Sequence, residues 1–206
     1  MKKVALIYLL FSVSIMCAVA QVTPPRGSSF QDSVRSRIDK GKVTVVNGTA
    51  MNTAKDFFEN LTASADHAQL LAIIRAASMV GTLKSRGPLT MFAPADTAIT
   101  RKLNSRLDTL LKPAHKYELI NMLSYHIVPG HYDAKELSRL IKDGKGEAQL
   151  LTLSGSKLTA RVDNNRNIVL YDETGGQSVV SRFDIEQSNG LMHLVTQPLI
   201  PKTKAL

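Results

Sequence analysis

Cysteine is nearly missing from this chain: Cys17 is the only one in 206 residues. It lies in a leading segment that reads as removable, so the chain expected after processing carries no thiol. That excludes disulfides, thiolate nucleophiles and cysteine-ligated metal. Long apolar runs are also scarce. After Val4 to Met16 no uncharged stretch approaches the roughly 20 residues that cross a bilayer, so the body of the chain reads as soluble or only peripherally attached. There is no dense Lys/Arg run, so the net charge of +9 is spread over solvated faces. There is no Gly-x-Ser-x-Gly elbow, and Gly144-x-Gly146 is too short and wrongly placed to cradle a dinucleotide. No nucleophile–base constellation stands out. The chain reads as a non-enzyme, with no cofactor and no metal.

The first twenty residues are a different object from the rest. Lys2 and Lys3 open an uncharged run, and Ala18-Val19-Ala20 offers a small-x-small site before Gln21. This reads as a secretory signal peptide over residues 1–20, cleaved after Ala20. A lipid on Cys17 is the lesser reading, because Met16 is not the small residue such sites want. The destination is then secreted, periplasmic or cell-surface. Without Lys2 and Lys3, 24 of the 26 basic residues remain against 17 acidic ones, a net +7. Such a chain favours acidic partners: anionic polysaccharide, phospholipid headgroups or another protein. Nucleic acid is disfavoured by the export signal.

Residues 21–50 read as a polar arm, with Pro24-Pro25, Gly27 and Ser28-Ser29, and with a short strand at Val43 to Val46 before an Asn47-Gly48-Thr49 turn. The domain proper is expected over 51–201, followed by a tail at 202–206. Its centre is Leu89 to Ile99, LTMFAPADTAI: an uncharged strand, a break at Ala93-Pro94-Ala95, and a helix with Asp96 as N-cap. Around it, Thr53 and Asp56 suggest a capping box for a helix over 54–61. Asp66 and Gln69 suggest another for a helix with Leu70, Ile73, Ile74 and Ala77 on one face, ended by Gly81. Helices are further expected over 114–124, with Tyr117, Ile120, Leu123 and Ser124 along one side, and over 134–142, capped by Asp133 and Glu136. Strands follow at 148–153, 157–162, 167–171, 178–185 and 191–196. Leu158, Ala160 and Val162 share one face, and so do Val179, Ser181, Phe183 and Ile185. Turns fall at Gly155-Ser156, Asn164-Asn165, Gly175-Gly176 and Asn189-Gly190. Helices first and strands later give an α+β class with an antiparallel sheet or sandwich.

Three stretches stand together in order: TMFAPADTAI at Thr90 to Ile99, YHIVPG at Tyr125 to Gly130, and SNGLMHLVTQPLIP at Ser188 to Pro201. This pattern resembles the fasciclin domain over roughly Met51 to Pro201. The run YDAKELSRLIKDGKGEAQL, from Tyr132, is similar to bacterial single-domain members. Ile99 stands where the first signature often has a bulky aromatic. The resemblance implies two small β-sheets packed as a wedge or sandwich, with several helices alongside. It also implies a secreted or surface-displayed adhesion module, in contact with matrix, polysaccharide or envelope partners. In animal members the Tyr-His segment is linked to receptor binding, and carried over, this points to Tyr125 and His126 alone. A lipid or sugar carrier in the periplasm, or a structural envelope protein, are the alternative readings.

His126 can be read as a buried ring bonded to a backbone carbonyl, as a surface contact or as a general base. Its apolar neighbours Ile127 and Val128 favour the first. Tyr125 is expected half-buried with a partnered hydroxyl. His193 alternates with Leu191 and Val195 and reads as a satisfied, semi-buried ring. His126, His131 and Asp133 are near in sequence, but an extended strand does not place two imidazoles on one face, and capping explains Asp133 better than metal. Asp172-Glu173 reads as a pair of solvated loop charges.

Overall fold

The computed structural model describes residues 41–84 and 87–202. The signal segment, Cys17, most of the arm, Arg86 and residues 203–206 lie outside the described residues. The chain begins with a hairpin, β1 (Val43–Val46) and β2 (Thr49–Asn52), turned by Asn47 and Gly48 at φ 46° and 80°. These left-handed dihedrals are what an Asn-Gly hairpin turn needs. β2 was not anticipated, because Met51 is the only large apolar residue in it. Helices follow: α1 (Phe57–Thr62), α2 (Ala68–Ala76) and α3 (Val80–Lys84). Then come β3 (Leu89–Pro94), α4 (Asp96–Leu103), α5 (Arg106–Leu110), α6 (Lys116–Tyr125), β4 (Ile127–Pro129) and α7 (Ala134–Asp143). The last part is all strand: β5 (Glu147–Leu151), β6 (Lys157–Val162), β7 (Ile168–Tyr171), β8 (Gln177–Gln187) and β9 (Gly190–Val195).

β4 to β9 and β3 form a seven-stranded sheet in the order β4-β3-β9-β8-β7-β6-β5. The fold is α+β, as expected, but the sheet is not purely antiparallel. β3 runs parallel to β9, with Leu89 opposite Gly190 and Pro94 opposite Val195. β8 carries two register shifts, between Val180 and Arg182 and between Arg182 and Ile185, with Asp184 at φ 58°. These irregularities bend the strand and divide the sheet into two halves that face each other. They also break the expected alternation: Val180 and Ile185 are buried, while Ser181 is exposed and Phe183 only half-buried. A bond from Leu153 N to Ile127 O, 2.8 Å, draws the far end of the sheet back toward β4.

β3 is buried at all six positions. Met91 and Ala93 join Met192 and Leu194 in a core against the helices, built with Leu70, Ile74, Leu119 and Leu123. Phe92 faces the other way, into a second core with Val195, Leu158, Leu170 and α7's Leu137 and Ile141. The strand therefore separates two apolar layers, which is why its sequence holds no charge.

Several caps differ from the sequence expectation. The box on α1 is Asp56 with Glu59: Asp56 Oδ1 accepts Glu59 N (2.8 Å) and Glu59 Oε2 accepts Asp56 N (3.1 Å). The Thr53 hydroxyl is occupied instead by Lys42 N (2.8 Å). α2 ends well before Gly81. Ser78, at φ 57°, takes the left-handed position; Met79 N bonds Ile74 O and Ser78 N bonds Arg75 O, both at 3.0 Å. This is a Schellman closure with serine in the place usually held by glycine. Asp96 is the first residue of α4 rather than its N-cap, and makes no cap bond there. Its Oδ1 accepts Gln69 N (2.9 Å) and so caps α2 across space. Asp66 lies in the preceding 3₁₀ turn, Ala65–His67. Asp96→Ala should then cost about 1 kcal/mol. Amide exchange would locate the loss: faster at Gln69, unchanged within α4. An unaltered Gln69 rate would contradict the assignment.

Candidate functional site

The Tyr-His pair sits where α6 gives way to β4. Tyr125 closes the helix and His126 is its C-cap, with φ −83° and ψ −3°. His126 N still bonds Leu123 O (3.0 Å), so the strand begins at Ile127, two residues later than the Tyr125 start expected from sequence. The His126 carbonyl accepts Phe92 N (2.9 Å) and so ties the junction to β3.

Both side chains point inward. The His126 ring is 3% exposed. Its Nε2 accepts the Leu199 N–H (2.9 Å), and its Nδ1 lies 2.8 Å from Met122 O. An amide can only donate and a carbonyl can only accept, so the ring is neutral with its proton on Nδ1. Burial pushes its pKa down to about 4, against smaller opposing effects from the Met122 bond and the Asp172 charge. Tyr125 is fully buried rather than half-buried. Its hydroxyl donates to Lys157 O (3.0 Å) and accepts Glu173 N (3.1 Å), which links β6 to the β7–β8 turn. Burial raises its pKa to about 12.

His193, in β9, has the opposite tautomer. Nδ1 accepts Asp184 N (3.2 Å), so Nε2 donates to Tyr132 O (2.7 Å). The ring is fully buried, stacked on Phe92 at 5.5 Å between centroids and edge-on to Phe183. Burial holds its pKa below the ordinary value, more than the Tyr132 bond and the charges of Asp184 and Asp133 raise it. The left-handed Asp184 does two things here. Its backbone N–H fixes the ring, and its carboxylate accepts Ala134 N (2.9 Å) at the start of α7. Asp133 Oδ1 accepts Glu136 N in the same turn (2.6 Å). His131 is exposed, and among the described residues no group of three His, Cys, Asp or Glu is placed to hold a metal ion.

The sequence reading passes over one buried polar group, His67, and misplaces another, Asp172. His67 is fully buried, with Nδ1 2.7 Å from Ser64 Oγ; burial lowers its pKa. The signal was a histidine three residues after a serine, at the foot of an apolar helix face. Asp172 is buried, a correction to its reading as a solvated charge. It accepts Thr174 N (2.9 Å), Thr174 Oγ1 (2.7 Å), Gly176 N (2.7 Å) and Ile200 N (3.0 Å). One carboxylate thus shapes the β7–β8 turn and holds the segment after β9.

Two large concavities exist among the described residues, of about 640 and 690 Å³, and neither is lined by Tyr125, His126 or His193. The first is a polar cleft beside the Asn189-Gly190 turn, with Asp56, Lys84, His131 and Glu186. The second is a mostly apolar groove between α5, α6 and residues 200–202. Tyr117, expected along one side of α6 with Ile120, Leu123 and Ser124, stands 82% exposed at this groove, while Leu123 and Ser124 are buried.

Residues 65–201 match the family model described as the fasciclin domain. Protein sll1483 of Synechocystis is 28% identical over 160 residues, 78% of this chain and 81% of that protein. The pig transforming growth factor-beta-induced protein ig-h3 is 31% identical over 133 residues, 64% of this chain but 17% of its own length. Among solved structures, a FAS1 domain pair from the insect cell adhesion molecule fasciclin I superposes with a TM-score of 0.63 at 20% identity. That match covers 71% of this chain and 51% of the structure, so this chain spans about half of it. Match and fold agree, and the chain belongs to the fasciclin domain family.

Proposed function

We propose that this chain is a secreted or cell-surface binding module that contacts acidic polysaccharide or matrix protein through its outer surface, without making or breaking a bond. Fasciclin domains are adhesion and binding modules, and the family is generally non-enzymatic. The observation that carries the reading is how the reactive groups are used. The rings of His126 and His193 and the hydroxyl of Tyr125 are all spent on internal backbone bonds. Tyr125 and His126 then serve the fold from beneath, by tying the end of α6 to Lys157, Glu173 and Leu199.

The outer surface supplies the attraction. From Arg101 to Glu118, five Arg and Lys stand against two carboxylates, Asp108 and Glu118. All seven are exposed. Such a field steers acidic partners and is screened by salt within about 10 Å at 0.1 M. Binding to an immobilised acidic polysaccharide should weaken by about tenfold or more between low and moderate salt. Affinity that does not change with salt would contradict the electrostatic part, and no binding to any acidic polymer would contradict the reading.

A further inference from the structure

The groove between α5, α6 and Ile200-Pro201-Lys202 lies within this basic surface and has the chemistry of a small-molecule site. Leu103, Leu110, Met122 and Ile200 give it an apolar lining, and its volume of about 690 Å³ falls in the range of small-molecule pockets. The first three of these side chains are buried in the core behind the groove, so the surface they offer is backed by packed protein. Tyr117 adds a large exposed ring on the same wall. At the rim stand two cations, Arg106 and Lys202, and one carboxylate, Glu118, which leaves the lip with a net single positive charge. Glu118 Oε1 takes Nη2 of Arg106 at 2.5 Å and holds the guanidinium at the mouth. The fork has further N–H donors beyond that nitrogen. The backbone N–H of Lys202 is bonded to Glu173 Oε2 (3.2 Å), which holds its segment in place.

An apolar trough with a positive lip selects among occupants by charge. A neutral chain would use only the floor, and a cationic head would meet a lip of net positive charge whose one carboxylate, Glu118, is already paired with Arg106. A carboxylate head uses both features: its tail covers Leu103, Leu110, Met122 and Ile200, while its oxygens accept from Arg106 and Lys202. We propose that this groove binds a free, single-chain fatty acid, with the head at the Arg106–Lys202 rim and the chain beneath Tyr117. This does not rest on the polysaccharide reading. Surface attraction is screened by salt, whereas apolar burial in the groove persists.

The test is calorimetric titration of the purified protein with laurate below its micelle concentration, beside dodecyltrimethylammonium, which has the same chain with the opposite charge. One laurate should bind per chain, about tenfold or more tighter than the cation. Tyr117→Ala and Arg106→Gln, both at exposed positions, should each weaken laurate by about fivefold or more at an unchanged melting temperature. Arg106→Gln should also narrow the preference for laurate over the cation. Equal affinity for the two amphiphiles would overturn the proposal. So would laurate binding that occurs only after removal of residues 203–206, because the chain's own tail would then be the occupant. Self-association that Tyr117→Ala abolishes, with no laurate bound, would make a second copy the partner and equally overturn it.

Discussion

Gly190→Ala is expected to cost about 4 kcal/mol, much of the roughly 5–15 kcal/mol that holds a domain of this size together. Gly190 begins β9 at φ 153°, a conformation that residues with a Cβ rarely adopt. It also lies directly opposite Leu89 in the parallel ladder. A methyl group there would stand 1.9 Å from the Leu89 carbonyl oxygen and 2.8 Å from Leu89 C and N. These are backbone atoms of a strand packed on both faces, so they cannot step aside without opening the β3–β9 pair. Strain of about 2 kcal/mol adds to an overpacking cost of about the same size. Gly48→Ala is the control. It too has a positive φ, 80°, but open space around it, and should cost about 1 kcal/mol. Urea unfolding midpoints of the two variants measure the difference. Equal losses would mean that the contact with Leu89 is not the reason for glycine at 190.

The second large effect is loss of stability in mild acid. The His126 ring titrates at 6.5 when free and at about 4 in the fold. Between these values the unfolded chain binds a proton that the folded chain refuses, so stability falls as pH falls. It is complete above pH 6.5 and declines toward pH 4, by about 3 kcal/mol for this ring alone at ~1.4 kcal/mol per unit. His67 and His193, also held below the ordinary value by burial, act in the same direction. At lower pH the depressed carboxyls of Asp163 and Glu136 extend the decline, since each is held low by bonds that exist only in the fold. Urea midpoints between pH 7 and 4 follow the loss. His126→Gln should be less stable at pH 7 yet have a shallower slope, by about one proton. Identical slopes would show that His126 does not refuse the proton.

Local features were legible in the sequence. The α2 face of Leu70, Ile73, Ile74 and Ala77 is buried, Asp133 does cap α7, and β6 has the expected bounds. What was not legible depends on partners far along the chain. Nothing near Asp96 shows that its carboxylate serves Gln69, 27 residues earlier. Nothing near Asp172 announces Ile200, and the Val179–Ile185 alternation cannot reveal a bulge whose cause is the pairing with β9. The parallel β3–β9 pair joins residues about a hundred positions apart, so the order of the strands says little about it. In the sequence, Asn189 marks a turn and nothing more. In the structure its side chain also donates to Leu83 O (2.8 Å) and accepts Phe57 N (3.3 Å), anchoring α3 and α1 to the final hairpin. For the Tyr-His motif, Ile127 and Val128 pointed to burial, but the bond from Leu199 N, 73 residues on, was beyond reach.

The reading of this chain as a contact surface rests on imidazoles locked as internal struts. Ring-nitrogen NMR at pH 7 tests that lock most directly. The hydrogen-bond network requires opposite neutral tautomers, with the proton on Nδ1 in His126 and on Nε2 in His193. A His126 ring that is protonated, carries its hydrogen on Nε2 or averages between the two forms would contradict the account.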